Sequence, residues 1–453
     1  MRIILQSFLI FSFTLFSCDL FQGQNERQNS DERIASIDEY EYLDSHSSDY
    51  IYDQDKLHKF EIFIDLDDLE EINSDPALEK YVNAHLVFED KVVKDVGIRY
   101  KGSIGAWVGC LSNNDWTNPS GYKTCPKLSM KIKFNFNEEK QFYGLKKLQL
   151  HSQNLDPSKM RERLGYYMYR NFGVVAPRSN HALIYINDIF SGVYANTENI
   201  DGPFTNKHFD DIGGNLYKEV WPLKSNGSKQ EEVNFKNALK TNEEASDVSK
   251  ILALSEALSE SNNSAVNELI DSWIDKDIFL KTLVVDRRIA HDDGFLHFYH
   301  QGGDIYESHN YYWYENPSNN KVQLIPWDLD NAFENLNKNI NPVTPIKDKW
   351  YEITNSCNGF PFGTFGLLQK SAACDKIIGA FIRHKDYFYT LDNDFQNELF
   401  NNDHIVSLLN EWRNQIKDAV IEANSIYGSA EPSYEEWTLN LNFLVDSIRL
   451  SLQ

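Results

Sequence analysis

The chain has 453 residues, a hydrophobic share of 41%, an aromatic share of 13% and a formal net charge of −24. That length suffices for one large or two ordinary domains around a real core, and the composition excludes a chain disordered throughout. The acidic balance argues against a nucleic-acid binder, because gripping a phosphate backbone needs clustered Lys and Arg to displace counterions.

Arg2 precedes a largely apolar stretch from Ile3 to Phe16. This is the basic start and short apolar body of a secretory signal, below the roughly 20 residues that span a bilayer. Residues 1–17 are therefore expected to be a signal peptide and the protein to be exported. Leu15-Phe16-Ser17-Cys18 resembles the lipobox of bacterial lipoproteins, whose Cys becomes the lipidated N-terminus. Anchoring in the cell envelope at Cys18 is expected, with plain secretion as the alternative. No other segment reads as a membrane span, so the lipid is the expected membrane contact. Four further cysteines form two local pairs in a compartment where disulfides persist. Of three possible connectivities, Cys110–Cys125 and Cys357–Cys374 are expected.

From Asp19 to Lys56 the chain holds eleven acidic and three basic residues among Ser, Gln, Asn and Tyr. Residues 18–56 read as a lipid-anchored, disordered acidic tether. A period-two strand follows at Phe60, Ile62 and Ile64, then a short helix over 67–73 that stops before Asp75-Pro76. Strands are expected at 84–88, 92–100 and 128–136, the last with Met130, Ile132 and Phe134 alternating with Ser129, Lys131 and Lys133. Asp156-Pro157-Ser158 opens a helix that ends at Asn171-Phe172-Gly173. A hairpin, 182–186 and 192–196, turns at Asn187-Asp188.

Residues 224–247 read as a loop, and 248–257 and 265–290 as helices. Short strands are expected at 311–314 and 322–325, and a helical pattern runs from about Leu367 to the end. The order predicts an α+β fold of two lobes, an antiparallel sheet lobe and a mainly helical lobe with a helical C-terminal extension. Within a domain spanning 57–453 the divisions fall at 57–222, 223–366 and 367–453.

Three clusters carry candidate chemistry. In Leu324-Ile325-Pro326-Trp327-Asp328-Leu329-Asp330 a strand runs into two carboxylates, which suits a hard cation shared with substrate phosphates, although a capped turn fits this segment equally well. His291-Asp292-Asp293-Gly294 ends a helix, and His309-Asn310 begins a strand. An Asp and an Asn ahead of a metal-binding Asp is the order of a kinase catalytic loop. The histidines lack zinc-site spacing. Arg99, Lys101 and Ser103 beside Gly102, with Lys131 and Lys133 on a nearby strand, form a basic cluster that suits nucleotide phosphates. Glu162 on the helix after Asp156 is an acid placed to orient a lysine.

Together these residues resemble the CotH kinase family, secreted atypical protein kinases with a remodelled two-lobed kinase-like fold. The resemblance runs through Arg99-Tyr100-Lys101-Gly102-Ser103, Lys131-Ile132-Lys133-Phe134, Asp156-Pro157-Ser158-Lys159-Met160-Arg161-Glu162 and Gly192-Val193-Tyr194-Ala195-Asn196-Thr197-Glu198 to Asp293, His309-Asn310 and Trp327-Asp328-Leu329-Asp330. It implies that Lys133, or its neighbour Lys131, contacts the phosphates of ATP and pairs with Glu162. It implies that Arg99, Lys101 and Ser103 cover the phosphates and that Asp293, with Asp292 as the alternative, is the catalytic aspartate. Asp328 then holds Mg²⁺ or Mn²⁺ with Asn310 and Asp330. Asn310 lies seventeen residues after Asp293 where a kinase loop has five, so an insertion at about 297–308 must loop out.

The function implied is transfer of the ATP γ-phosphoryl to Ser or Thr of exported proteins. The alternatives are a non-catalytic surface module and nucleotidyl transfer from the same site.

Overall fold

The structure is a computed structural model that describes residues 32–40, 47–107, 109–113, 115–262, 265–336, 349–362 and 366–452. The expected signal peptide and Cys18 lie outside these residues. The chain divides into two compact units. The first takes the chain up to Ser152 with His181–Tyr194 and Ser425–Ala430, and the second takes Gln153–Asn180, Ala195–Asn424 and Glu431–Gln453.

Among the described residues, ten strands precede Gly202: β1 Asp38–Glu39, β2 His58–Ile64, β3 Val82–Phe88, β4 Lys91–Tyr100, β5 Leu111–Asn113, β6 Ser120–Lys123, β7 Met130–Lys133, β8 Lys147–His151, β9 Ser179–Ile186 and β10 Ile189–Thr197. Eight of them run in the order β1-β4-β3-β2-β9-β10-β8-β7, and a further β4–β7 pairing closes seven into a barrel. The expected antiparallel sheet is thus a closed barrel. It closes because β4 pairs with β3 on one side and β7 on the other, which leaves no free edge among the seven. Two pairings, β1–β4 and β2–β9, are parallel.

The alternation seen in the sequence sets what faces inward. Met130 and Ile132 are fully buried among Ile98, Leu148 and Ile184, while Lys131 and Lys133 are half-buried on the other face. The hairpin between β9 and β10 turns at Asn187 and Asp188, both at positive φ, which these two residue types tolerate. Cys110 and Cys125 form a disulfide, as do Cys357 and Cys374 in the second unit.

Part of the expected tether is folded. Ile51 and Tyr52 are buried in the barrel unit's core, and Tyr50 stacks on Tyr143 with ring centroids 5.6 Å apart. Asp38 and Glu39 of β1 pair with Lys91 and Lys94 at 3.1 and 3.0 Å. Composition missed this because the acids find partners on β4 and the tyrosines carry the burial.

In the second unit the helix Arg161–Asn171 starts where Asp156 accepts from the N–H groups of Ser158 and Arg161, both at 2.9 Å. Seven strands follow: β11 Leu216–Lys218, β12 Phe298–Gly302, β13 Ile305–Glu307, β14 Tyr311–Asn316, β15 Lys321–Pro326, β16 Phe360–Phe362 and β17 Leu367–Lys370. They form two sheets, β11-β14-β15 and β13-β12-β17-β16. The pattern read as one helix over 265–290 is two, Ala265–Trp273 and Lys276–Arg288, and the second starts at Asp275, whose side chain caps it. The expected loop at 224–247 contains a helix, Glu232–Ala238. The expected helical start at Leu367 is instead strand β17, drawn into pairing with β12 and β16. Helices Lys385–Glu398, Asn402–Tyr427 and Tyr434–Ser451 complete the chain. No helix among the described residues is long and apolar enough to cross a membrane.

Candidate functional site

The register of the β14–β15 hairpin builds the centre of the site. Tyr311 faces Pro326, so Asn310 just before β14 meets Trp327 just after β15, and the Trp327 N–H donates to the Asn310 carbonyl at 3.0 Å. Asn310 and Asp328 both take left-handed backbone, φ +62° and +55°, a conformation that costs Asn and Asp less than other side-chain-bearing residues.

Asn310 then reaches Asp293. Its Nδ2 donates to Asp293 Oδ2 at 3.0 Å and to the Asp293 carbonyl at 2.8 Å, and its N–H donates to Glu219 Oε1 at 3.0 Å. On the other carboxylate oxygen, His309 Nε2 lies 2.8 Å from Asp293 Oδ1. Enclosure by itself would raise the Asp293 pKa. The hydrogen bond and charge of His309, helped by His291 and His297, outweigh it and hold the carboxyl below its usual value. His309 is held above its own usual value, since its contact with Asp293 outweighs the cost of burial.

The sequence left the loop phase open, and in the structure the two acids have different partners. Asp292 is 1% exposed, with Oδ1 3.5 Å from both Arg287 Nη1 and His297 Nε2. It is tied into the buried helix end, while its neighbour Asp293 faces Asn310.

Asp328 is held through its backbone. Its N–H donates to the Tyr166 hydroxyl at 3.1 Å, and its carbonyl accepts from His291 Nε2 at 3.0 Å. The helix carrying Tyr166 comes close through Gly165, where an added Cβ would stand 2.8 Å from Leu329 Cδ1. The Asp328 and Asp330 carboxylates take no hydrogen bond or ion pair from any described residue. The Asp330 carboxyl is pushed well above its usual value by enclosure, then by the negative charges of Asp328, Glu162 and Asp293, against a smaller opposing effect of Arg161. Glu162 Oε1 accepts from Thr197 Oγ1 at 2.7 Å.

These features fit a divalent cation: two carboxylates without protein donors and a local excess of negative charge that a cation would relieve. No set of three or more His, Cys, Asp or Glu side chains among the described residues is arranged to hold a metal by itself.

The basic candidates lie in the barrel unit. Arg99 and Lys131 are register partners on β4 and β7, as are Gly97 and Lys133. Arg99 pairs with Glu79, and both Arg99 and Lys133 lie over the Tyr81 ring, at 5.1 and 5.9 Å. Lys101 Nζ donates to His151 Nε2 at 2.8 Å, and Ser103 is exposed ahead of the short helix Ile104–Trp107. The structure thus gathers Arg99, Lys131 and Lys133 on adjoining strands, and Asp293, Asn310 and Asp328 with Asp330 in the other unit.

Sequence reasoning missed Glu219, Tyr166 and Tyr299 and gave His309 no role of its own beyond its place in the His309-Asn310 pair. Its position directly before Asn310 was the one available signal. Glu219 also borders a cleft of about 790 Å³ walled in part by Trp221 and Tyr311.

The sequence family described as CotH kinase protein matches residues 98–452, and the chain belongs to it. Inner spore coat protein H of Bacillus subtilis (strain 168) is 23% identical over 289 residues, which is 61% of this chain and 69% of that protein. The inner spore coat protein H-like protein of the same strain is 35% identical over 69 residues, 15% of this chain and 22% of that one.

Proposed function

We propose that this chain is a protein kinase that transfers the γ-phosphoryl of ATP to Ser or Thr hydroxyls of exported polypeptides with Mg²⁺ or Mn²⁺. The observation that carries the reading is the meeting of Asp293, Asn310 and Asp328 through the β14–β15 register. Family membership supports it independently.

Asp293, held ionised by His309, orients the acceptor hydroxyl and takes its proton as the new O–P bond forms. Asn310 holds that carboxylate in place, and its amide oxygen, which takes no hydrogen bond from any described residue, would join Asp328 and Asp330 in holding a cation. The chemistry such a cation would supply there is neutralisation of charge on the transferring phosphoryl group. Lys133 or Lys131, with Arg99, Lys101 and Ser103, is proposed to contact the nucleotide phosphates. Two disulfides and the apolar N-terminal stretch support export, with lipid on Cys18 as the proposed anchor.

The test is incubation of the mature chain with Mn²⁺ and ATP labelled at either the α or the γ position, with casein as a generic acceptor. Label on Ser or Thr from the γ position alone supports the proposal. Label from the α position alone replaces it with nucleotidyl transfer, and no transfer from either position leaves a binding module.

A further inference from the structure

The hairpin β12–β13 fills the stretch between Asp293 and His309, and its first strand touches the site directly. The Tyr299 hydroxyl donates to the Asp292 carbonyl at 2.9 Å and lies 3.4 Å from Asp293 Oδ1. Its ring lies between those of His297 and His309, with centroids 5.8 and 5.3 Å away and planes within 21° and 29°. Each histidine faces one aspartate, His297 with Asp292 at 3.5 Å and His309 with Asp293 at 2.8 Å. Tyr299 in turn is register partner of Gln369 on β17.

We infer that Tyr299 is a positioning residue for the acceptor step: it holds the Asp292 peptide in the phase that turns Asp293 toward Asn310, which makes the inserted hairpin part of the active site. The inference rests on the phosphoryl-transfer reading. Two adjacent acids can be presented in two phases, and a small rotation of the peptide between them exchanges which one faces the substrate. Arg287 draws Asp292 one way. The Tyr299 hydroxyl has one proton to give, and its shorter contact is with the Asp292 carbonyl, so it acts through the loop rather than on the substrate. Displacement of a reacting group by about 1 Å costs up to about a hundredfold in rate.

The experiment compares the full chain with Tyr299→Phe, which keeps the ring stack and removes the hydroxyl, and Tyr299→Leu, which removes both. Transfer to casein from γ-labelled ATP with Mn²⁺ is measured beside hydrogen exchange of the backbone amides at 292–294 and 310. Tyr299→Phe is expected to lower kcat about tenfold with KM for ATP within about twofold of wild type. It should speed exchange at those amides and leave barrel peptides unchanged, and Tyr299→Leu should do more of each. Unchanged exchange in Tyr299→Phe overturns the inference whatever the rate, and so does a change in KM without one in kcat. If wild type transfers no label, the phosphoryl-transfer reading fails, and the exchange data still decide whether Tyr299 holds the loop.

Discussion

Asn310 Nδ2 stands 3.0 Å from the carboxylate of Asp293, seventeen residues earlier in the chain. The intervening residues leave and return as the β12–β13 hairpin, and β14 then starts at the point where Asn310 can bond both Asp293 and Glu219. Replacing Asn310 with Leu removes both Nδ2 hydrogen bonds to Asp293 and leaves its Oδ2 and its carbonyl short of a donor. Asn310→Leu should lower stability by about 1–3 kcal/mol, read by thermal melting, and reduce transfer by about ten- to a hundredfold.

Asp328 and Asp293 should fail differently. Asp328→Asn removes the anion that offsets a divalent cation beside a polyphosphate, so calorimetry with Mn²⁺ and ATP should show binding lost with the fold intact. Asp293→Asn should keep nucleotide affinity and lose turnover. If both variants bind and transfer like wild type, the phosphoryl-transfer site has been placed on the wrong residues.

Gly165 allows the helix Arg161–Asn171 to pack against the segment that carries Asp328 and Asp330. A methyl at Gly165 would meet Leu329 Cδ1 at 2.8 Å, so Gly165→Ala forces Leu329 or the helix to move. The cost should be about 1–3 kcal/mol, with weaker Mn²⁺–ATP binding as the more specific sign. Unchanged affinity in a destabilised variant would show that the helix spacing does not set the acid positions.

Glu198 supplies a pH-dependent part of stability. It is 1% exposed and accepts from the N–H and Nε of Arg178, both at 3.0 Å, with His208 Nε2 at 2.9 Å. Burial alone would raise its pKa, but the His208 hydrogen bond and the Arg178 charge outweigh this and lower it from 4.5 to about 2. Above the ordinary value the folded state gains from the ionised form, and this gain is lost as pH falls from about 4.5 through about 2. Glu198→Gln should cost about 3–5 kcal/mol near neutral pH and flatten the melting-temperature curve across that acidic window.

The Cys357–Cys374 bridge closes a 17-residue separation that contains both β16 and β17, and β17 pairs with the strand carrying Tyr299. The double change to Ser should lower stability by about 3 kcal/mol and reduce transfer more than the Cys110–Cys125 double change, which lies in the barrel unit. Equal losses of transfer would mean that the bridge acts on stability alone.

The sequence by itself determined what local chemistry sets. The period-two pattern around Met130 and Ile132, the Asn187-Asp188 turn and the opening of the helix after Asp156 depend on neighbouring residues, and all three lie where they were expected. The pairing of nearby cysteines was legible for the same reason. Tertiary structure decided what depends on distant partners. The sheet became a barrel because β4 found β7, the acidic segment before β2 folded because β4 offers Lys91 and Lys94, and Leu367 became strand because β12 was beside it. The choice between Asp292 and Asp293 was of this kind too. Adjacent carboxylates are chemically equivalent in a sequence, and only the folded chain sets Asp292 beside Arg287 and His297 while Asp293 meets His309 and Asn310.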